Sequence, residues 1–585
     1  MQKNTIRLHS CLKQYTYDQD KACTPEQTVE LFQERLKATG LDILKEVKRI
    51  DTGRLDIPVF FSVCGKDAAA TIGTKKQMGK GSTPEQSKAS ACMELAERFS
   101  FFSFLRNPDN FIVGDYAAMQ EAGYPVLPMS ALLHSVHDTE RRPEQLEALL
   151  AGLPLRWTWA RNITKDEDVL IPFSWFYAIN EFNGPCAGNT VEEAVLQGVS
   201  EVVERHVCAV IAREQPRIPS IDLGSVTDPV ARSLIDKFQR NGISLQVNDF
   251  SLDTGIPTVG ALAWDPASFP EKSELVYTAG TTPGPDKALI RALTEVAQLA
   301  GDFESGSNYV ASGLPKPLSL DEAEYLFSEQ TVAINQLPNL GAEDMLQELH
   351  NCLSALQKIN LEVLMINTMH PALQIPAAYT IIPGAHFRER AASGDAPLFA
   401  AKLAAELLSP AALEEKLAAM QEELPDAYYL EFYRGRNFYD QDLVEPALSC
   451  FQQTLTMQPN NEDKPYIYSY LGSCLRDLER FEEAVPVLEK GLECDEERPD
   501  LHNIIGVCHF RADRFEQAAH HFQRAVQLNP VSAIDYANLA LNQQRLGRKE
   551  EAISNYQIAL GQDSGIAFAA ENLALLLEEG SARTV

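Results

Sequence analysis

One device occurs three times along this chain and limits what it can fold into. A glycine-bearing stretch leads into a helix that carries carboxylates and a guanidinium or amide on one stripe. The first helix reads SKASACMELAERFS over 87–100, without Gly or Pro and rich in good helix formers. Ser90, Glu94, Glu97 and Arg98 fall at i, i+4, i+7 and i+8, which puts all four on one face. The second follows NGPCAGNT at 183–190 and is expected from 191 to about 213, with Glu193, Gln197, Glu201, Glu204 and Arg205 as its stripe. The third follows TAGTTPGPD and reads KALIRALTEVAQLAGD to residue 302. There Arg291, Glu295, Gln298 and Asp302 lie at i, i+4, i+7 and i+11. One such helix is an ordinary solvated face. Three in one chain point either to a shared cleft or to three separate faces of one domain.

Strand-like runs surround these helices. IPVFFSVC at 57–64, PTVGALAW at 257–264 and EVLMIN at 362–367 are rich in β-branched and aromatic residues. A further helix is expected over about 25–39, with Thr24 as N-cap and Pro25 in the first turn. Helices and strands interleaved in this way give an α/β or α+β domain. The stretch TIGTKKQMGKGST at 71–83 is not a P-loop. Gly73 and Gly79-Lys80 are one residue too far apart, and Gly81 stands where Ser or Thr is required. A basic glycine loop before a helix N-terminus can still hold an anion. Residues 101–170 carry no clear chemistry. His206, directly after Arg205, reads as a packed or surface residue rather than a ligand.

Charge and composition exclude several classes. A net charge of −31 argues against a general nucleic-acid binder. The eleven Cys are scattered singly with no C-x-x-C pair, so neither a zinc ribbon nor a disulfide framework is indicated. Free thiols at that density fit a reducing compartment. The start, MQKNTIRLHSCLKQYTY, lacks an apolar signal core, and no run approaches a membrane span. A cytoplasmic protein without membrane or nucleic-acid partners is expected. Carboxylates gathered in one cleft repel unless something neutralises them. Mg²⁺ does so and prefers carboxylates, waters and phosphate oxygens. Arg98 and Arg205 offer planar forks for phosphate. The residues alone therefore suggest a Mg-nucleotide site built without a P-loop.

The same residues carry a family resemblance. S-x-x-x-E-x-x-E-R at Ser90 to Arg98, NGPCAGNTVEEAVLQGVSEVVER at 183–205 and RALTEVAQ at 291–298 resemble, in order, the signatures of the YcaO superfamily. GKGST before the first motif fits as well, and Lys21 with Thr28 in DKACTPEQT resembles a nucleotide-contacting Lys and Ser of that family. The resemblance spans roughly residues 15–390. It implies cofactors ATP and Mg²⁺. It assigns Lys21, Thr28, Lys80, Ser90, Arg98, Asn189, Arg205, Arg291, Glu295, Gln298 and Asp302 to the nucleotide site, and Glu94, Glu97, Glu193, Glu201 and Glu204 to magnesium. No catalytic residue is singled out. The implied activity is ATP-dependent phosphorylation of a peptide or protein backbone amide. A Cys, Ser or Thr side chain then gives an azoline, and an external sulfur donor gives a thioamide. Azoline-forming members often end in a proline-rich tail, whereas this chain ends SARTV, and no N-terminal peptide clamp is evident. The alternative is a non-catalytic or accessory adaptor, as in family members that assist methylthiolation of a small-subunit ribosomal protein.

Beyond the linker-like AASGDAP at 391–397 the composition turns helical and repetitive. Gly435, Gly472, Gly506 and Ala540 are spaced 37, 34 and 34 apart. Ala447, Ala484, Ala518 and Ala552 follow each by twelve, and Phe451, Leu488, Phe522 and Tyr556 come four later. This is the tetratricopeptide pattern of stacked helix pairs. The stretch 566–579 looks like a capping helix. The expected organisation is an ATP-binding YcaO-like domain over 1–390, a helical linker over 391–424 and all-α repeats over 425–585. Such arrays hold a peptide or partner, here the substrate or a sulfur-delivering protein. The repeat segment carries 26 Asp and Glu against 14 Lys and Arg, a net of −12, so −19 lies elsewhere. An acidic groove favours basic partners, ribosomal proteins among them. A homodimer is left open.

Overall fold

The computed structural model describes residues 3, 5–73, 76–303, 309, 313–388 and 395–581. It divides into two units, one of residues 1–307 and 311–399 and one running on from 400. The first is α/β and the second is all-helical. Among the described residues no helix is long and apolar enough to cross a membrane.

Among its described residues the first unit forms three sheets. The first is an antiparallel trio of β1 (Leu44–Arg49), β2 (Val59–Cys64) and β3 (Lys76–Lys80). The second uses β4 (Ile112–Gly114), β5 (Leu155–Asn162), β6 (Glu167–Pro172) and β7 (Pro185–Ala187), joined later by β13 (Leu364–Asn367) and β14 (Ala377–Ile381). Its order is β4-β5-β13-β14-β7, with β6 on β5. The third takes β8 (Ser220–Asp222), β9 (Ser244–Asp249), β10 (Thr258–Trp264), β11 (Val276–Thr281) and β12 (Thr331–Ala333), ordered β11-β10-β9-β8-β12. The strands expected at 57–64, 257–264 and 362–367 are β2, β10 and β13, each starting one or two residues later.

Six helices of this unit matter for the site. They are α1 (Pro25–Thr39), α2 (Pro84–Arg106), α3 (Phe173–Asn180), α4 (Val191–Glu214), α5 (Pro285–Ala300) and α6 (Met345–Lys358). In α1, Thr24 caps the helix as expected and shares a capping box with Gln27.

In the second unit a helix pair recurs. The four pairs are Tyr428–Tyr439 with Val444–Thr456, Lys464–Asp477 with Phe481–Cys494, Pro499–Arg511 with Phe515–Leu528, and Ala533–Arg545 with Lys549–Gln562. The helix Ala567–Ser581 follows them. The periodic glycines work as the spacing implies. A Cβ on Gly435 or Gly506 would stand 2.8 or 2.9 Å from the ring of Phe451 or Phe522, and one on Gly472 would overlap Leu488. Phe451, Leu488, Phe522 and Tyr556 are all buried there. Before the repeats come helices Ala396–Leu407 and Pro410–Glu423. Of the linker-like break at 391–397, residues 391–394 lie outside the described residues, and the helix begins at Ala396.

The third pair holds a histidine cluster that makes its stability pH-dependent. His502 Nδ1 and His521 Nδ1 are 3.0 Å apart, and the His509 ring lies 5.6 Å from that of His521. Burial, then Arg524, lowers His502 to about 4; burial, then His502, lowers His521 to about 3. An unfolded histidine protonates near 6.5, so the unfolded chain takes up protons first. Stability is therefore full above about 6.5 and falls as pH drops towards 4. Hydrogen exchange, corrected for intrinsic rates, should show protection in Pro499–Arg511 and Phe515–Leu528 reduced by roughly 1–3 kcal/mol at pH 5 relative to pH 7. His521→Gln should remove much of that loss. Equal protection at both pH values would contradict the cluster's role.

Candidate active site

Each striped helix follows a strand that ends in a close packing contact. Part of each glycine stretch expected as a loop is a strand, β3, β7 or β11. Their glycines let strand and helix touch. A Cβ on Gly79 would overlap Ser87 and Ala91 of α2, one on Gly188 would come 2.5 Å from the Ala194 nitrogen of α4, and one on Gly280 would overlap Ala288 of α5. Ser87 reinforces the first contact, its hydroxyl donating to the carbonyls of Gly79 (2.8 Å) and Pro58 (2.9 Å). Thr83 and Thr190 cap α2 and α4 with their side chains. The basic loop at 71–83 thus contains the paired strand Lys76–Lys80, and its residues 74 and 75 lie outside the described residues.

The three helices pack in a cycle. α2 lies on β2 and β3 and also meets β7 and β14 of the second sheet. α4 lies on β7 and β14 and also meets β11 of the third sheet. α5 lies on β10 and β11 and returns to β3 of the first. This cyclic packing turns the three stripes towards one cleft of about 410 Å³. Ser90, Glu94, Glu97 and Arg98 line it from α2, Glu193, Glu201 and Arg205 from α4, and Arg291, Glu295 and Gln298 from α5. Lys21, Thr28, Lys80 and Asn189 complete the expected set. Five carboxylates thus face five cations.

These charges are already partly engaged. Glu193 is fixed by the Ala22 amide (2.9 Å), by Asn189 Nδ2 (3.1 Å) and by Lys21 (3.5 Å). Arg98 stands 3.5 Å from Glu97 and 3.9 Å from Glu94, and it donates to the Phe182 carbonyl at 3.3 Å. Lys80 is paired with Glu295. Burial, then the Arg291 charge, pulls the Lys80 ammonium down to about 7. Arg291 donates to Gln197 and Glu204, each at 3.3 Å. Thr28 gives its hydroxyl to the Thr24 carbonyl of its own helix, at 3.0 Å. Among the described residues Glu201 has no hydrogen-bond or ion-pair partner. Burial pushes Glu97 well above the ordinary carboxylate range and raises Glu94, despite the adjacent Arg98; Glu201 adds to both. Burial also opposes the charge on Arg98, but Glu97, Glu94 and Glu201 outweigh it.

Two expected residues are placed differently. Asp302 does not line the cleft. α5 ends at Ala300, Gly301 turns left-handed, and Asp302 follows at φ 60°, off the stripe. Its carboxylate instead accepts from the Thr52 amide (2.8 Å), the Thr52 hydroxyl (2.5 Å) and the Gly53 amide (2.9 Å). Asp302→Ala should therefore lower unfolding stability by about 2–3 kcal/mol, since hydrogen bonds to a charged group are the strong ones. Nucleotide affinity by calorimetry should stay as it was; a large loss of affinity would restore Asp302 to the site. Glu204 lies in a smaller adjoining hollow and accepts from the Thr281 amide at 3.1 Å as well as from Arg291. It orients Arg291 rather than facing the cleft.

Among the described residues no three acidic, His or Cys side chains stand close enough to form a ready-made metal cage. Mg²⁺ seldom uses one. It keeps waters and takes one or two carboxylates together with phosphate oxygens. The donor set fits that mode: Glu201 has no partner among the described residues, Glu94 and Glu97 keep part of their side chains exposed to the cleft, and the Nε of Arg205 and Oδ1 of Asn189 are buried without partners. A cleft with balanced charges accepts a polyanion readily only when cations enter with it. Sequence reasoning missed Phe182, Asn183 and Met93, which also line the cleft. Nothing in their spacing marked them.

Comparison with known proteins points to the same cofactors. Residues 78–386 match the model of the YcaO cyclodehydratase family, described as ATP- and Mg²⁺-binding. Residues 471–533 match a tetratricopeptide repeat. An uncharacterized protein of Methanothermobacter thermautotrophicus is 27% identical over 387 residues, covering 62% of this chain and 94% of that protein. The ribosomal protein S12 methylthiotransferase accessory factor YcaO of Escherichia coli is 27% identical over 304 residues, 49% of this chain and 50% of its own. The chain thus spans about half the length of that relative. A solved heterocyclase in complex with substrate and cofactor shares the fold at TM-score 0.54 and 24% identity, over 67% of this chain and 56% of the other. With the family matched over more than half its length, the chain belongs to the YcaO family, with ATP and Mg²⁺ as its cofactors.

Proposed function

We propose that the chain uses Mg·ATP to phosphorylate a backbone amide of a peptide or protein, preparing it for thioamide or azoline formation. The observation that carries this reading is the lining of the cleft. It is dense in carboxylates, guanidinium groups and amides, and among its described residues there is neither Cys nor His. Such a site is equipped to position and neutralise phosphate rather than to attack a substrate covalently. When bound, ATP supplies the phosphoryl group and Mg²⁺ offsets its charge. Glu94, Glu97 and Glu201 would hold the metal, Arg98, Arg205 and Lys80 the phosphates, and Glu193 would fix Lys21 and Asn189. The amide oxygen forms the new O–P bond as the bond to ADP breaks. A nucleophile then adds at the amide carbon, and the C–O bond breaks with release of inorganic phosphate. In this reading the nucleophile comes from the substrate or an external donor; the described lining residues include no cysteine.

A second reading is supported by the name of the Escherichia coli relative: the chain assists a modifying enzyme and uses the repeats to recruit it. Mass spectrometry of proteins from cells with and without this chain separates the two. The first reading expects one protein to lose a modification in which oxygen is replaced by sulfur or water is lost, and Glu201→Gln to fail to restore it. Restoration by that variant would favour the accessory role.

A further inference from the structure

One aromatic ring lines the cleft, and a strained turn presents it. Glu181 ends α3 at φ 46°, ψ −110°, a conformation unfavourable for any residue with a Cβ. The turn is held by three side chains. Tyr379 donates its hydroxyl to the Glu181 carbonyl (3.1 Å), Arg98 donates to the Phe182 carbonyl (3.3 Å), and Asn183 Nδ2 donates to the Asn180 carbonyl (3.0 Å). The result presents Phe182 with 47% of its surface exposed, at the cleft wall. The core beneath does not need it, since Phe101, Phe173 and Tyr379 are fully buried already. Phe102 lies four residues beyond Arg98 on the same stripe of α2, and its ring stands 5.7 Å from that of Phe182. The α2 stripe thus passes from carboxylates through a guanidinium to an aromatic face.

We propose that Phe182, backed by Phe102, docks an apolar or aromatic side chain of the peptide substrate beside the amide that enters the cleft. The inference rests on the amide-activating reading above. Phe182 is the one aromatic residue among the described lining residues, and its carbonyl accepts from Arg98, which that reading assigns to the phosphates. On that reading an acceptor amide meets the terminal phosphate beside Arg98, and so beside Phe182. A flanking apolar side chain placed there covers the exposed ring and holds the amide in line.

The test uses the full chain, Mg·AMPPCP calorimetry, and two pools of capped hexapeptides, one rich in Phe, Leu and Met and one in Ser, Gly and Asn. The apolar pool should stimulate phosphate release from Mg·ATP more strongly. Phe182→Ala should raise its half-saturating concentration about tenfold, the scale of a lost apolar contact, and Phe182→Leu should restore most of it. Mg·AMPPCP affinity should be unaltered in both variants, because the carbonyl remains. Equal stimulation by both pools, or none from a protein that binds Mg·AMPPCP, overturns the proposal. So does lost nucleotide affinity in Phe182→Ala, which would make the ring a base-stacking surface. Failure of the unaltered protein to bind Mg·AMPPCP sinks the nucleotide reading itself, and this inference with it.

Discussion

Glu201→Gln is expected to weaken Mg·ATP binding about 100-fold, at the upper end of what losing even an outer-shell metal partner costs. The fold should survive. Glu201 has no hydrogen-bond or ion-pair partner among the described residues, and Gln keeps its shape. The apo protein should unfold at about the same temperature as the wild type. Removing the Glu201 charge relieves its repulsion of Glu94 and Glu97 but gives up its attraction to Arg98 and Arg205, and the two effects oppose. Loss of affinity without loss of stability is the signature of a residue kept for function. Calorimetry with Mg·ATP and thermal unfolding check both halves. Unchanged affinity removes Glu201 from the site, and a marked drop in stability shows a structural role instead.

Deleting residues 425–585 should leave Mg·ATP affinity within about twofold but cut modification of the natural substrate at least about tenfold, as expected when a tethered binding module is lost. All described cleft-lining residues lie between Gln19 and Leu299, in the first unit. The truncation also keeps Phe399, whose ring packs on Trp175 at 5.9 Å. Helix-pair arrays hold partners, and holding a peptide near the cleft converts a bimolecular step into a local one. Fusing the substrate to the truncated chain should recover part of the rate. An equal rate on free substrate would show that the repeats serve something else, and loss of nucleotide binding would show that they stabilise the first unit.

The legible part of this protein is periodic. Ser90, Glu94 and Arg98, or Glu193, Gln197 and Glu201, share a helix face because of their spacing alone, so their grouping could be read before any coordinates. The repeats were legible for the same reason, since Gly472 and Leu488 recur as Gly506 and Phe522. What stayed hidden depends on turns and on distant partners. Asp302 continues the stripe arithmetically, but Gly301 ends the helix first, and the carboxylate reaches Thr52 instead. The glycines before each helix also serve close contact of strand and helix, which their spacing did not show. Phe182 is an isolated aromatic in sequence. Only the Glu181 turn and the contact with Phe102 give it meaning. The stacked His137 and His386, 3.8 Å apart, were likewise invisible because nearly 250 residues separate them.

The central claim is that three separate helix stripes form one metal-nucleotide site. Crystals grown with Mn²⁺ in place of Mg²⁺, and AMPPCP, test it most directly through anomalous scattering from the metal. Anomalous density within about 2–2.5 Å of a Glu201 oxygen and of Glu94 or Glu97, with phosphate oxygens completing the shell and Arg98 or Arg205 on the phosphates, is the predicted result. Density confined to another part of the molecule, or nucleotide bound with no metal beside α2 and α4, would contradict it.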